Sequence, residues 1–185
     1  MLPTPDNLTL DEIQSRFSTD QAARSYLEEI RWPKGVFCPH CKTATPKLIW
    51  KIKANPEKKI RAGLYHCSVC DKQFTVTVGT IFEDTHIPLR KWLVAWYLLC
   101  SSKKGISSLQ IQRMLGLGSY RTALFMMHRI RYALAHPAFT GMPSAKFVKP
   151  ERPIKFDDAM RKAMRVPPPP SGKKAKRKIS RKKQR

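Results

Sequence analysis

The residues of this chain best suited to chemistry are Cys38-Pro39-His40-Cys41 and Cys67-Ser68-Val69-Cys70, and the chemistry they suit is metal coordination. The C-x-x-C spacing lets one tight turn aim two thiolates at one ion, and two such turns complete a tetrahedral, all-cysteine Zn2+ site. Four thiolates close the coordination shell and leave no position for water or substrate. One structural zinc ion is therefore expected, with no catalysis at it. His40 and His66 flank the cysteines, but a fifth ligand has nowhere to bind. Cys100 ends the apolar run Trp92–Cys100 and reads as a buried, inert thiol. That run falls far short of the roughly 18 residues of a membrane span. Met1 to Leu10 has no basic-then-apolar leader pattern, so a reducing cytoplasm close to the nucleoid is expected, where paired cysteines do not form disulfides.

The charge of the chain points to the partner. The formal net charge is +23 over 185 residues, and it is unevenly spread. Residues 1–84 carry 12 Lys/Arg against 10 Asp/Glu, whereas residues 85–185 carry 24 against 3. A half-molecule so basic seeks a polyanion, which favours nucleic acid over a membrane surface or a small-molecule substrate.

The elements that must position these groups follow in chain order. Thr9-Leu10-Asp11-Glu12 fits a capping box and Ser18-Thr19-Asp20-Gln21 offers a second such start. Ala23, Tyr26, Leu27 and Ile30 recur at helical spacing until Trp32-Pro33-Lys34-Gly35 ends the run, giving a helical lid on the metal site. Residues 36–76 read as a ribbon: a knuckle at Cys38–Cys41, a strand near Leu48–Ile52, a hairpin, a strand entering the second knuckle, and another leaving it at Gln73–Val78. The lysine-rich hairpin tip, Lys53 to Gly63, is either a phosphate contact or a solvated loop.

Three further helices are expected. The first opens at Pro88 with Leu89, Trp92, Leu93, Trp96, Leu99 and Cys100 on its apolar face, and the second starts at Ser107 and stops at Gly116-Leu117-Gly118. The third runs from Ser119 to His136-Pro137, with Ala123, Met126 or Met127, Ile130 and Leu134 as its core stripe. The short glycine turn between the last two describes a helix-turn-helix. Tyr120, Arg121 and Thr122 then stand where a recognition helix meets base edges, and His128, Arg129 and Arg131 face outward, the two arginines suited to phosphate. Lys103 and Lys104 precede the second helix.

From Pro137 the character changes. Eight prolines fall between Pro137 and Pro170, which argues against a packed domain. One short helix is expected at 155–166, because Phe156, Ala159, Met160, Ala163 and Met164 follow a helical period. It would dock on this protein, dock on a protein partner, or fold only when bound. Beyond Pro167-Pro168-Pro169-Pro170 the tail carries nine cations and no acid: Lys173, Lys174, Lys176, Arg177, Lys178, Arg181, Lys182, Lys183 and Arg185. Such a tail binds phosphate in a salt-dependent way without reading sequence.

The fold class expected is thus α+β: a small four-cysteine zinc ribbon flanked by N-terminal helices and a three-helix helix-turn-helix, with a largely disordered basic C-terminal tail. The divisions are 1–35 for the N-terminal helical segment, 36–80 for the ribbon, 85–136 for the helix-turn-helix and 137–185 for the tail.

Arg31-Trp32-Pro33-Lys34-Gly35-Val36-Phe37-Cys38-Pro39-His40-Cys41 and the stretch from Tyr65-His66-Cys67 through Gly79-Thr80-Ile81-Phe82 resemble the transposase zinc-ribbon family. The likeness continues through Ile87-Pro88-Leu89-Arg90-Lys91-Trp92, Lys103-Lys104-Gly105-Ile106-Ser107 and His128-Arg129-Ile130-Arg131. This resemblance implies the N-terminal DNA-binding module of bacterial insertion-sequence transposases, which recognises terminal inverted repeats and precedes a ribonuclease-H-like domain with an acidic triad. Here the only carboxylate side chains after Asp84 are Glu151, Asp157 and Asp158, in a proline-rich stretch too short for that domain. The expectation is a non-catalytic, double-stranded-DNA-binding protein with no catalytic residues of its own. An accessory or split subunit acting with a catalytic partner chain, and an RNA- or ribosome-binding zinc ribbon, are the alternatives.

Overall fold

A computed structural model describes residues 9–55, 57, 60–102, 105–140 and 156–170. Two short helices open the chain, α1 (Leu10–Arg16) and α2 (Asp20–Arg31). The Thr9 hydroxyl accepts from the Glu12 N–H at 3.2 Å while the Glu12 carboxylate accepts from the Thr9 N–H at 2.7 Å, completing the expected capping box. The second start differs from expectation by one residue. Thr19 is the cap and accepts from the Ala22 N–H at 3.2 Å, which satisfies one of the free donors of the first turn of α2.

Helix α2 ends at Trp32, whose indole drives between the helix and the sheet. Its ring meets Tyr65, Phe74 and Phe37 edge-on at centroid distances of 5.2, 6.1 and 6.3 Å. The sheet has three antiparallel strands in the order β1 (Ile49–Ile52), β2 (Leu64–Cys67), β3 (Lys72–Phe74), with a 3-10 turn at Pro46–Leu48 leading in. Ile49 pairs with Cys67, Tyr65 with Lys51 and Phe74, and Trp50 with His66. Alternation along each strand turns Ile49, Tyr65, Cys67 and Phe74 toward the core.

The strand expected over Gln73–Val78 stops at Phe74. Thr75, Thr77 and Thr80 divert the backbone into turns. The Thr75 and Thr77 hydroxyls meet at 2.8 Å, the Thr80 hydroxyl donates to the Thr77 carbonyl at 2.7 Å, and backbone bonds link Val78 to Thr75 and Thr80 to Thr77. The turns carry the fully buried Ile81 and Phe82 into the helical half.

Helix α3 (Leu89–Ser101) is the central rod. Trp92, Leu93, Val94, Ala95, Trp96 and Leu98 are all buried, a wider apolar girth than one stripe, because the helix has neighbours on more than one side. Helix α1 and α2 pack on it, and the Trp92 indole N–H donates to the Thr85 hydroxyl at 3.1 Å. Helix α4 (Ser108–Met114) and α5 (Tyr120–Ala135) pack on each other, capped by Ser107 and Ser119. The turn between them places Gly116 at φ +55 and buries Leu117. Lys91 of α3 donates to the Gly116 carbonyl at 3.0 Å and fixes that turn to the rod. Ala123, Met126, Met127, Ile130 and Ala133 form the buried stripe of α5, while Leu134 is only half-buried.

A single turn, α6 (Pro137–Thr140), follows, and then α7 (Phe156–Ala163). Despite the density of prolines, α7 packs into the same core. Phe156, Ala159, Met160, Ala163, Met164 and Val166 are buried, and α7 lies against α2 and α6. The Phe156 ring stands 6.1 Å from both Phe17 and Tyr26 and 6.3 Å from Tyr97. Tyr26 donates its hydroxyl to Asp157, which also pairs with Arg16 at 3.7 Å. Burial first, and the Asp157 carboxylate second, push the Tyr26 hydroxyl well above its usual range and keep it a donor. Of the three docking modes expected for the helix at 155–166, the structure has the apolar face of α7 in this chain's own aromatic slot.

Candidate metal centre and nucleic-acid interface

Each knuckle is a tight turn whose exit residue has left-handed backbone, Lys42 at φ +61 and Asp71 at φ +52. In the first, the Lys42 N–H returns to the Cys38 carbonyl at 2.9 Å. The second lies between β2 and β3, so the sheet register sets the distance between the two pairs. Cys38 and Cys67 are fully buried, whereas Cys41 and Cys70 sit at the rim.

The four sulfurs lie within 4.8 Å of one another, with Cys38–Cys70 and Cys41–Cys67 each at 3.6 Å. These are free thiols, too far apart for disulfides. A tetrahedral ion with bonds of about 2.3 Å to sulfur needs sulfurs about 3.8 Å apart, so the cluster fits Zn2+ in size, donor number and softness. The Thr43 hydroxyl lies 3.2 Å from the Cys41 sulfur and, with the Thr43 N–H, holds the Cys41 thiol down to about 6. Burial pushes the Cys70 thiol the other way, up to about 12.

Neither histidine joins the cluster. His40 is exposed, and His66 sits on the other face of β2, with its Nε2 3.0 Å from Asp71 Oδ1 and its ring against Trp50. Among the described residues, the four cysteines are the one group of His, Cys, Asp or Glu with metal-binding geometry.

The metal centre is tied to the helices through α2. Glu28 accepts from the Tyr65 hydroxyl at 3.0 Å and from Lys51 at 3.1 Å, and Arg31 donates to the Val76 carbonyl. Burial lowers the Arg31 guanidinium to about 10, still fully charged at neutral pH.

Of the outward residues expected on α5, Tyr120, Arg121, His128 and Arg131 are exposed and Thr122 is half-buried. Arg131 also donates to the Ile106 carbonyl at 3.3 Å. Arg129 departs from expectation. Its guanidinium turns inward, donating to the Ile81 carbonyl at 2.9 Å and to the Glu83 carbonyl, and burial depresses its pKa. It clamps α5 to the loop that leaves the ribbon, because those two carbonyls have no strand partner. Lys103, Lys104 and the tail cations from Lys173 to Arg185 lie outside the described residues.

Two exposed aromatics escaped the sequence reading. Phe125 is 43% exposed, four residues after Arg121 and three before His128, with the Arg129 guanidinium 4.5 Å from its ring. Trp50 is 49% exposed on the outer face of β1. The signals were available: Phe125 falls off the Ala123–Ile130 stripe, and Trp50 falls on the strand positions opposite to Ile49. No helix among the described residues is long and apolar enough to cross a membrane.

Comparison with known proteins agrees with this geometry. Residues 18–73, from the start of α2 to β3 and including all four cysteines, match the transposase zinc-ribbon domain. An uncharacterized protein in transposable element ISH50 of Halobacterium salinarum is 31% identical over 127 residues, which covers 65% of this chain. The chain spans 38% of that relative's length. No solved structure matches. The four-thiolate knuckles and the helix that buttresses them thus lie in the segment that matches the transposase zinc-ribbon domain, and the chain is similar to a protein of a transposable element.

Proposed function

We propose that this chain is the DNA-binding protein of an insertion sequence. One structural Zn2+ sits on Cys38, Cys41, Cys67 and Cys70, and α3 to α5 act as a helix-turn-helix on duplex DNA at the terminal inverted repeats. The observation that carries the proposal is the joining, in one hydrophobic core, of a transposase zinc ribbon to a helix pair whose second member opens on exposed Tyr120 and Arg121. Helix α5 enters the major groove. Tyr120, Arg121 and Thr122 meet base edges, His128 and Arg131 meet phosphate, and Lys103, Lys104 and the tail add salt-dependent affinity. Arg129, committed to two backbone carbonyls, is left out of that set.

The proposal assigns binding rather than strand transfer to these residues, since two-metal phosphoryl transfer needs converging carboxylates. A second reading is an accessory subunit that works with a catalytic partner chain.

Fluorescence anisotropy with duplexes copied from the ends of the parent element, against scrambled duplexes and structured RNA at matched salt, tests the proposal. Tighter binding to the element ends is expected, with Arg121→Ala costing about 1–3 kcal/mol there and little on scrambled DNA. Equal affinity for scrambled duplex, or RNA bound more than about tenfold tighter, overturns it. Metal-dependent strand transfer by the purified chain alone overturns the non-catalytic assignment.

A further inference from the structure

We propose that the outer face of the ribbon sheet is a second nucleic-acid site, in which Trp50 stacks on an unpaired base of single-stranded DNA. The site is separate from α5 and stands whether or not α5 reads duplex DNA.

The register builds the face. Trp50 is opposite His66, His66 is opposite Gln73, and Ile52 is opposite Leu64, so these five side chains project away from the face that holds Cys67, Tyr65 and Phe74. Leu64 is buried yet stands outside the hydrophobic core of the protein. With Ile52, Ile60, Arg61 and Gln73 it lines an open depression of about 360 Å3. Beside it the half-exposed indole of Trp50 lies on the His66 ring, centroids 4.7 Å apart and planes inclined at 32°. The bond from His66 to Asp71 anchors that support. The arrangement is a fixed aromatic shelf next to an apolar hollow that carries one guanidinium and one amide.

The chemistry of the face selects its occupant. Among the described residues no carboxylate lines the depression. From Lys47 to Lys72 the sequence has seven cations (Lys47, Lys51, Lys53, Lys58, Lys59, Arg61, Lys72) against the two acids Glu57 and Asp71, and Lys51 is paired with Glu28. A planar ring carried on an anionic backbone complements this face. A nucleobase has that ring on offer only when unpaired, because in a duplex its faces are covered by neighbouring bases. Gln73 can bond the edge of the base and Arg61 the adjoining phosphate.

Trp50 is also a built-in reporter. Trp32, Trp92 and Trp96 are buried, so acrylamide quenching of the zinc-loaded chain reads Trp50 almost alone. The chain is titrated with a dT oligomer of about 12 nucleotides, the same oligomer with abasic sites, an rU oligomer and a duplex, all at one salt concentration. Protection of Trp50 by oligo(dT) is expected. Trp50→Ala should lose about tenfold or more in affinity for it with zinc retained, and Trp50→Phe should recover part of the loss. Should Trp50→Ala release zinc, Arg61→Gln, an exposed substitution, carries the test and should weaken oligo(dT) several-fold. Abasic oligomer bound as tightly as oligo(dT), equal protection by duplex, rU preferred by more than about tenfold, or unchanged affinity in the zinc-bearing variants would each overturn the proposal.

Discussion

Phe156→Ala tests whether the segment beyond the prolines belongs to the fold. The Phe156 ring is 5% exposed and stands among Phe17, Tyr26 and Tyr97, with no polar atom to lose. Truncation removes the transfer energy of a whole ring and leaves a cavity between three aromatics that are themselves held by α1, α2 and α3. The expected cost is about 3–5 kcal/mol. In a chain of this size that lowers the melting temperature by on the order of 10 °C. A second perturbation checks the same contact by different chemistry. In a double-mutant cycle of Tyr26→Phe with Asp157→Asn, the bond from the phenol to the carboxylate should give a coupling of about 1–2 kcal/mol, reduced from the usual charged-bond value by the remaining Arg16 partner. Urea unfolding of the zinc-saturated protein, followed by near-UV circular dichroism, measures both. A cost below about 1 kcal/mol for Phe156→Ala, together with no coupling in the cycle, would refute the docking of α7, since that is how a solvent-exposed segment behaves.

Other perturbations address the metal centre and the clamp. Cys67→Ala, or a strong chelator, should abolish stoichiometric zinc and melt the ribbon, read by metal analysis and by the loss of Tyr65 and Trp32 signals; full zinc retention would contradict the four-thiolate site. Apparent zinc affinity should fall steadily as pH is lowered, because zinc must displace the protons of thiols such as Cys70, which burial pushes up to about 12, with a further loss below about 6 where the depressed Cys41 thiol also gains its proton; competition with a chromophoric chelator can follow it. Lys42→Gly should stabilise the protein by about 1 kcal/mol, because a side chain at φ +61 carries a strain that glycine does not; a destabilised variant would show the Lys42 side chain to be needed. Arg129→Met should cost about 1–3 kcal/mol of stability by stranding the Ile81 and Glu83 carbonyls while leaving the salt slope of DNA binding unchanged; a slope reduced by about one would return Arg129 to the phosphate contacts.

The sequence carried the knuckles and the helices because both are written in local spacing. C-x-x-C pairs announce a shared ion without any knowledge of the fold, and hydroxyl caps at Thr9, Ser107 and Ser119 mark helix starts to within a residue. What it concealed depends on partners far along the chain. Arg129 reads as one more surface cation until the loop at Ile81–Glu83 supplies two orphan carbonyls. The threonines after Phe74 have strand propensity, yet the Thr75 and Thr77 hydroxyls bond each other and the Thr80 hydroxyl donates to the Thr77 carbonyl, and the chain turns where the strand was expected to continue. Helix α7 was visible as a period, but its dock was not, since Phe17, Tyr26 and Tyr97 come together only after α1, α2 and α3 pack.

The same long-range contacts give the zinc ion a reach beyond its ribbon. Loss of the ion frees Cys67 and the β2–β3 knuckle, and with them the register that sets Tyr65 and Phe74 against Trp32. Trp32 ends α2, and α2 packs on both α3 and α7. On the other side, the chain leaving β3 delivers Ile81 and Glu83 to Arg129 in α5. Two separate paths therefore run from the thiolates to the helical half, one through α2 and one through the clamp. A closed four-thiolate site has no chemistry of its own to offer a nucleic acid. In the binding mode proposed above, its contribution is to fix the angle between the outer face of the sheet and the exposed face of α5, so metal loss should weaken nucleic-acid contacts that involve both faces more than contacts made by either alone.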